Sequence, residues 1–237
     1  MSEHMALENL TVLDLTRVLA GPFCTMMLAD MGANVIKIEV PKGGDDTRSY
    51  PPFRAKNLNG ERESVYFANI NRNKKGITLN LKAPEGKEIF KELVKKADIV
   101  VENYRPGVMD KLGLGYDVLK EINPRIIYAA VSGFGCYGPY HLRPGYDILA
   151  QAMGGMMSIT GSKGGEPTRA GSALGDILGG LHVTIGILAA VNARTITGKG
   201  QRVDVSLMDS MIAATENTAL KYIETGNIPA PMGNRYA

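Results

Sequence analysis

Six short apolar runs, each set off from the next by helix-patterned or turn-rich sequence, constrain this chain more than anything else in it. They are LTVLDL (10–15), NVIKIE (34–39), GITLNL (76–81), DIVVE (98–102), RIIYAAV (125–131) and QRVDVS (201–206). Their β-branched content and partial alternation read as strands. Between them, residues 21–31 have helix composition with Pro22 near the start. A second helix opens at Pro84, with Ile89, Phe90, Leu93, Val94 and Ala97 on one face and Lys95 and Lys96 at its C-terminal end. Short helices follow to about residue 122. Strand and helix in alternation predict an α/β fold: a doubly wound, mostly parallel sheet with flanking helices and right-handed crossovers. The ligand crevice of such a sheet lies at the carboxyl ends of its strands, here near 16–22, 40–42, 103–107 and 132–138. The polar stretch 41–63 reads as a surface excursion.

Beyond residue 144 the pattern changes. Tyr146 to Met157 reads as helix, 161–165 as a glycine-rich turn, 173–195 as one long helix and 207–224 as another. Residues 226–237 read as an extended linker with nothing to dock to. The expected organisation is one large domain over 1–225, with 226–237 leading to a second domain absent from this chain. The long helix is mostly apolar or small, but Asp176 and His182 interrupt it, so a buried helix is expected and not a membrane span. No signal-peptide pattern opens the chain. At 44% apolar and 22% charged residues the composition is that of a globular protein, not a disordered one. A net charge of +3 is too small to argue for nucleic acid as partner. Cys24 and Cys136 cannot by themselves build a disulfide framework or a zinc site, and fit a reducing cytoplasm.

The common nucleotide and hydrolase signatures fail. GxxxxGK[ST] and GxSxG are absent. GxGxxG occurs at Gly133, Gly135 and Gly138, but the following PYHLRPG cannot open a helix, so a glycine-rich strand-end loop is the better reading and no nicotinamide site is expected. His4, His141 and His182 show no metal spacing. Asp176 is the anomaly: a carboxylate near the start of an apolar helix costs several kcal/mol unless it is satisfied or faces a cleft. Two readings stay open, a capping aspartate and a nucleophile toward an activated acyl group. The helix dipole is expected to keep it ionised, and Gly175, Gly179 and Gly180 read as clearing space for something bulky.

Several segments together carry a specific resemblance: VLDLTRVLAGPFCTMMLADMGANVIKIE (12–39), NRNKKGITLNLKAPEGK (71–87), ADIVVENYRPGVMDKLGLGY (97–116), NPRIIYAAVSGFGCYGPY (123–140), RPGYDILAQAMGGMMSITG (143–161), ALGDILGG (173–180) and TGKGQRVDVSLMDSM (197–211). With these the chain resembles the N-terminal large part of the family III CoA-transferases. This CaiB/BaiF-type group includes formyl-CoA:oxalate and carnitine CoA-transferases and, more distantly, α-methylacyl-CoA racemases. The resemblance implies a Rossmann-like large domain and transfer of CoA between an acyl-CoA and a small carboxylic acid, with Asp176 as covalent nucleophile. It implies CoA contacts at Val18, Leu19, Ala20, Val40, Leu79 to Lys82, Asn103, Tyr104, Arg105 and Lys111. Arg143, Tyr146 and Asp147 would border the nucleophile. Val40 stands where some members carry a basic residue, with Lys42 close by. The racemases carry a histidine beside the aspartate of the segment matching 143–151, where this chain has Tyr146, so transfer is the implied reaction. Racemisation and a non-catalytic CoA-binding role are the alternatives. The resemblance also implies an interlocked homodimer whose active-site cover lies in sequence beyond residue 237. No metal, membrane or nucleic acid is implied.

Overall fold

The computed structural model describes residues 4–54, 60 and 62–234. The elements run β1 (Thr11–Asp14), α1 (Ala20–Asp30), β2 (Asn34–Glu39), a 3-10 turn (Asp46–Ser49), β3 (Phe53–Arg54), β4 (Glu63–Ser64), α2 (Val65–Ile70), β5 (Lys75–Thr78), α3 (Pro84–Val94), β6 (Ile99–Glu102), α4 (Val108–Leu112), α5 (Tyr116–Ile122) and β7 (Ile127–Ser132). The second half adds α6 (Asp147–Met153), α7 (Met156–Ile159), α8 (Leu174–Thr197), β8 (Arg202–Ser206), α9 (Leu207–Ala214) and α10 (Thr218–Thr225).

Six strands form one sheet in the order β5-β2-β1-β6-β7-β8, every neighbouring pair parallel. The expected doubly wound sheet is therefore present. Leaving out the small β3–β4 antiparallel pair, the order is that of dinucleotide-binding folds, which reverses between β1 and β6. Strand alternation explains why both faces are covered. Ile99, Val101, Ile127, Ala129 and Val131 pack toward α1 and α8, while Val100, Tyr128 and Ala130 pack with Phe90, Val94, Leu114 and Leu119 on the other side. Pro84 takes the first position of α3 as its missing amide hydrogen allows. Of the face predicted for that helix, Ile89 points to solvent and is 52% exposed.

The long helix is α8. Its length and hydropathy would suffice to cross a bilayer, and here Val183, Ile187 and Ala190 are buried in the core it shares with α1 and β7. Its glycines are where the sequence reading needs correction. A Cβ at Gly179 would lie 2.4 Å from Leu207 Cδ2, and one at Gly180 would lie 2.7 Å from the Ala20 carbonyl oxygen. The space they clear is filled by α9 and α1, not by a ligand. Two predicted helices are broken. The 146–157 stretch divides at Gly154 and Gly155 into α6 and α7, and the 207–224 stretch divides at Thr215–Asn217, where Glu216 has φ 53°. The tail also has a docking place: Pro231 is buried and the Gly233 amide donates to the Gly161 carbonyl at 3.0 Å, on the glycine-rich turn. Within the 41–63 excursion, residues 55–59 and 61 lie outside the described residues, as do 1–3 and 235–237 of the predicted domain and linker.

Candidate active site

A cleft of about 550 Å³ opens at the carboxyl ends of β1, β6 and β7, spanning the point where the strand order reverses. Its floor comes from residues 17–20 after β1, 103–106 after β6 and 131–133 at the end of β7. Asp46 and Tyr50 form one side wall. The loop 141–146, Asp176 at the start of α8, and Leu207 complete it.

The β1 loop is held through the amides of residues 15–18. The Leu15 amide donates to the Val101 carbonyl at 2.9 Å, and the Thr16 amide to Asp14 Oδ1 at 2.8 Å. Asn103 grips Arg17 from both sides, its Oδ1 accepting from the amide at 2.9 Å and its Nδ2 donating to the carbonyl at 2.7 Å. Beneath the loop, Asp14 is fully buried, accepts from the Thr16 and Thr25 hydroxyls, and lies 3.1 Å from Lys74 Nζ. Burial alone would raise its pKa; Lys74, Lys37 and the two hydroxyls hold it below the ordinary carboxylate range. On the β6 side the Glu102 carboxylate accepts from the Tyr104 amide at 2.7 Å and the Tyr128 hydroxyl at 3.1 Å. Burial still pushes that carboxyl up to about 7.

Asp176 sits in the first turn of α8 and reaches the cleft wall. Among the described residues nothing hydrogen-bonds its carboxylate, and it does not cap its helix. That work is done by Asp147, whose Oδ1 accepts from the Gly175 amide at 2.8 Å while Oδ2 accepts from Gln151 Nε2 at 2.8 Å. Desolvation, with the Asp147 charge adding to it, pushes the Asp176 carboxyl up to about 7. The dipole expected to hold it ionised is outweighed, first by desolvation and then by Asp147, which already takes up a helix amide and adds a like charge. The field of Asp176 also reaches Tyr66, whose phenol burial, then Asp176 and Tyr50, push up to about 12. Tyr66 packs edge-on against Tyr50 with ring centroids 5.8 Å apart.

Of the sequence-predicted residues, Val18, Leu19, Ala20, Asn103, Tyr104, Arg105, Arg143, Tyr146 and Asp176 line one cleft. Asp147 stands behind it as the cap of α8. Val40, Leu79 and Lys82 lie outside it, grouped at the ends of β2 and β5, where the Leu79 amide donates to the Glu39 carbonyl at 2.9 Å. Lys111 is exposed on α4, away from the lining. The expected 40–42 flank is replaced by Asp46 and Tyr50, since Lys42, Gly43 and Gly44 all have positive φ and turn the chain back. Sequence reasoning passed over Asp46, Tyr50, Tyr66 and His141. The one local signal was Asp45, which caps the 3-10 turn by accepting from the Thr47 amide. His141 lines the cleft with Nδ1 2.7 Å from the Gly138 carbonyl. The GxGxxG glycines serve the loop itself: a Cβ on Gly133 would lie 2.4 Å from Gly145 Cα. Three guanidinium groups, from Arg17, Arg105 and Arg143, line the cleft together with the carboxylates of Asp46, which pairs with Arg17, and Asp176. Such a set suits a polyanionic ligand carrying an electrophilic carbonyl.

Comparison with known proteins gives the same direction. The profile described as CoA-transferase family III matches residues 7–237. An acyl-CoA transferase of Fusarium pseudograminearum is 49% identical over 95% of this chain and 50% of its own length. An acetyl-CoA:oxalate CoA-transferase of Acetobacter aceti is 48% identical over 97% of this chain and 58% of its own. The crystal structure of a CAIB/BAIF family protein from Brucella suis superposes with a TM-score of 0.93 at 44% identity, covering 99% of this chain and 61% of that one. The chain thus spans between half and about three fifths of the length of these three relatives. It belongs to the family III CoA-transferases.

Proposed function

We propose that this chain carries the CoA site and the nucleophile of an enzyme that moves CoA from an acyl-CoA to a carboxylic acid. The observation that carries the reading is Asp176: a half-buried carboxylate without a hydrogen-bond donor among the described residues, on the wall of a cleft at the switch point of a parallel sheet. Val18, Leu19 and Ala20 at the start of α1, with Asn103, Tyr104 and Arg105, would take the pantetheine and pyrophosphate. Val40, Leu79 and Lys82, beside the β1 end of the cleft, would take the adenosine end, and Lys111 a phosphate.

In this reading the Asp176 carboxylate attacks the thioester carbonyl. The C–S bond breaks, giving an aspartyl–acyl anhydride and CoA thiolate. The thiolate attacks the aspartyl carbonyl, releasing the donor acid and leaving an aspartyl-CoA thioester. An acceptor carboxylate then runs both steps in reverse, so the thioester's energy is conserved without ATP. A carboxylate with no donor on it is poorly stabilised, which favours attack. The anhydride must be shielded from water; we assign that shielding to polypeptide beyond residue 237 and to a second subunit of an interlocked homodimer. Exposed Leu181, Ile185 and Ile196 on α8 and Leu220, Tyr222 and Ile223 on α10 support a covered surface there.

His141 in the lining supports a second reading, acyl-CoA racemisation with the imidazole as base. The two differ in what they leave behind. Intact-protein mass spectrometry after incubation with succinyl-CoA should show a CoA-sized or hydroxylamine-sensitive adduct in the parent and none in D176A. A parent without adduct that exchanges the α-proton of an acyl-CoA for solvent deuterium would replace transfer by racemisation.

A further inference from the structure

Val18 is a β-branched residue at the lip of the cleft with φ 68°. Left-handed backbone at such a residue persists only where the surroundings impose it, against a penalty of roughly tenfold to hundredfold in population. The imposing groups can be traced. Val18's amide donates to Asp45 Oδ1 at 3.2 Å, and the Thr16 carbonyl accepts from Lys37 Nζ at 2.8 Å. Lys37 Nζ is 2.9 Å from Asp45 Oδ2, with the two side chains 2% and 1% exposed. The same Asp45 Oδ1 accepts from the Thr47 amide at 3.0 Å and hydroxyl at 2.8 Å, fixing the turn that carries Asp46 and Tyr50 into the opposite wall. Neither Lys37 nor Asp45 lines the cleft.

We infer that the buried Lys37–Asp45 pair is the positioning element of the CoA site: it holds Val18 left-handed and thereby aims the start of α1 at the ligand. A buried ion pair adds little stability over apolar residues of equal volume. What this pair supplies is direction, with one end on the Thr16 carbonyl and the other on the Val18 amide, between two walls that are 27 residues apart along the chain. The inference rests on the cleft being the CoA site.

The test compares the parent 237-residue chain with K37M/D45A, V18G and the triple variant by two measurements. Calorimetry gives CoA affinity, and amide hydrogen exchange over residues 15–20, without ligand, reports on the loop itself. The double substitution should weaken CoA binding about tenfold or more with valine in place. In the V18G background it should cost less than about threefold, because glycine holds positive φ unaided. Exchange at the Arg17 and Leu19 amides should quicken on double substitution with valine and much less with V18G. Equal losses in both backgrounds, or no loss, would overturn the inference and leave the pair as ordinary core. D45N keeps the side-chain shape and is expected to show the same background dependence; it decides the matter if the double variant lacks a cooperative melt. Should the parent not bind CoA, the functional reading of the cleft fails, while the exchange data still judge the loop: background-dependent quickening upholds the positioning role and its absence overturns it.

Discussion

At the scale of single residues the decisive group is Asp176. Sequence alone singled it out as an aspartate in ALGD at the head of an apolar helix, with a capping role and a nucleophilic one both open. It could not give the protonation state, because that depends first on burial in the folded chain and then on Asp147, a residue brought near only by the packing of α6 against α8. With the carboxyl pushed up to about 7, the acid form predominates below neutrality and cannot attack. Adduct formation at fixed acyl-CoA should therefore rise about tenfold per pH unit below that value and level off above it. Rates measured by rapid quench and mass spectrometry between pH 5 and 8.5 check this, and a flat profile would contradict it. Val40, Lys82 and Lys111 were assigned by resemblance alone, and none of the three lines the cleft. Asp46 and Tyr50 escaped notice because their place depends on a reversal of direction after β2.

Among the elements, α8 links the core to the site. Its N-terminal turn carries Asp176, and one turn on it touches α1 so closely that Gly180 faces the Ala20 carbonyl. G180A would press a methyl group to 2.7 Å from that backbone oxygen. Backbone atoms cannot rotate away, so α1 and α8 must separate, at a cost of about 2 kcal/mol. Chemical denaturation should show that loss, and CoA affinity should fall with it because Ala20 belongs to the floor of the cleft. Unchanged affinity would mean that the α1–α8 spacing does not set the site. Strand positions were legible, as β-branched runs with a period near two leave few alternatives. The breaks in the 146–157 and 207–224 helices were not. Thr215 and Asn217 are tolerable inside a helix by propensity, and the turn at Glu216 is imposed by how α9 packs on α6 and α8.

For the molecule as a whole, two sets of buried carboxyls oppose each other. Asp14, Glu39 and Asp45 feel burial first, yet lysine, arginine and hydroxyl or amide partners hold all three below their usual range. Their contribution is present above about pH 4 and is lost as pH falls through their lowered folded values. Asp176 and Glu102, both pushed up to about 7, act in the other direction. The folded chain binds more protons than the unfolded one between about pH 4 and 7, so stability falls as pH rises across that interval. Equilibrium unfolding should be most favourable to the native state at about pH 4, with D176N more stable than the parent at pH 8 and about equal to it at pH 4. A parent curve flat from pH 5 to 8 would show that the two carboxyls are not held in their acid form.

The sequence by itself determined the class of fold, the strand positions and which carboxylate stands at the head of an apolar helix, because local periodicity and residue chemistry are properties of neighbouring residues. Tertiary structure alone decided that the Asp176 carboxyl is pushed up to about 7, that the glycines of α8 pack against protein, and that Asp46, Tyr50 and His141 join the cleft. Each of these depends on desolvation or on contact between segments far apart in the chain, and neither is written in any local stretch of residues.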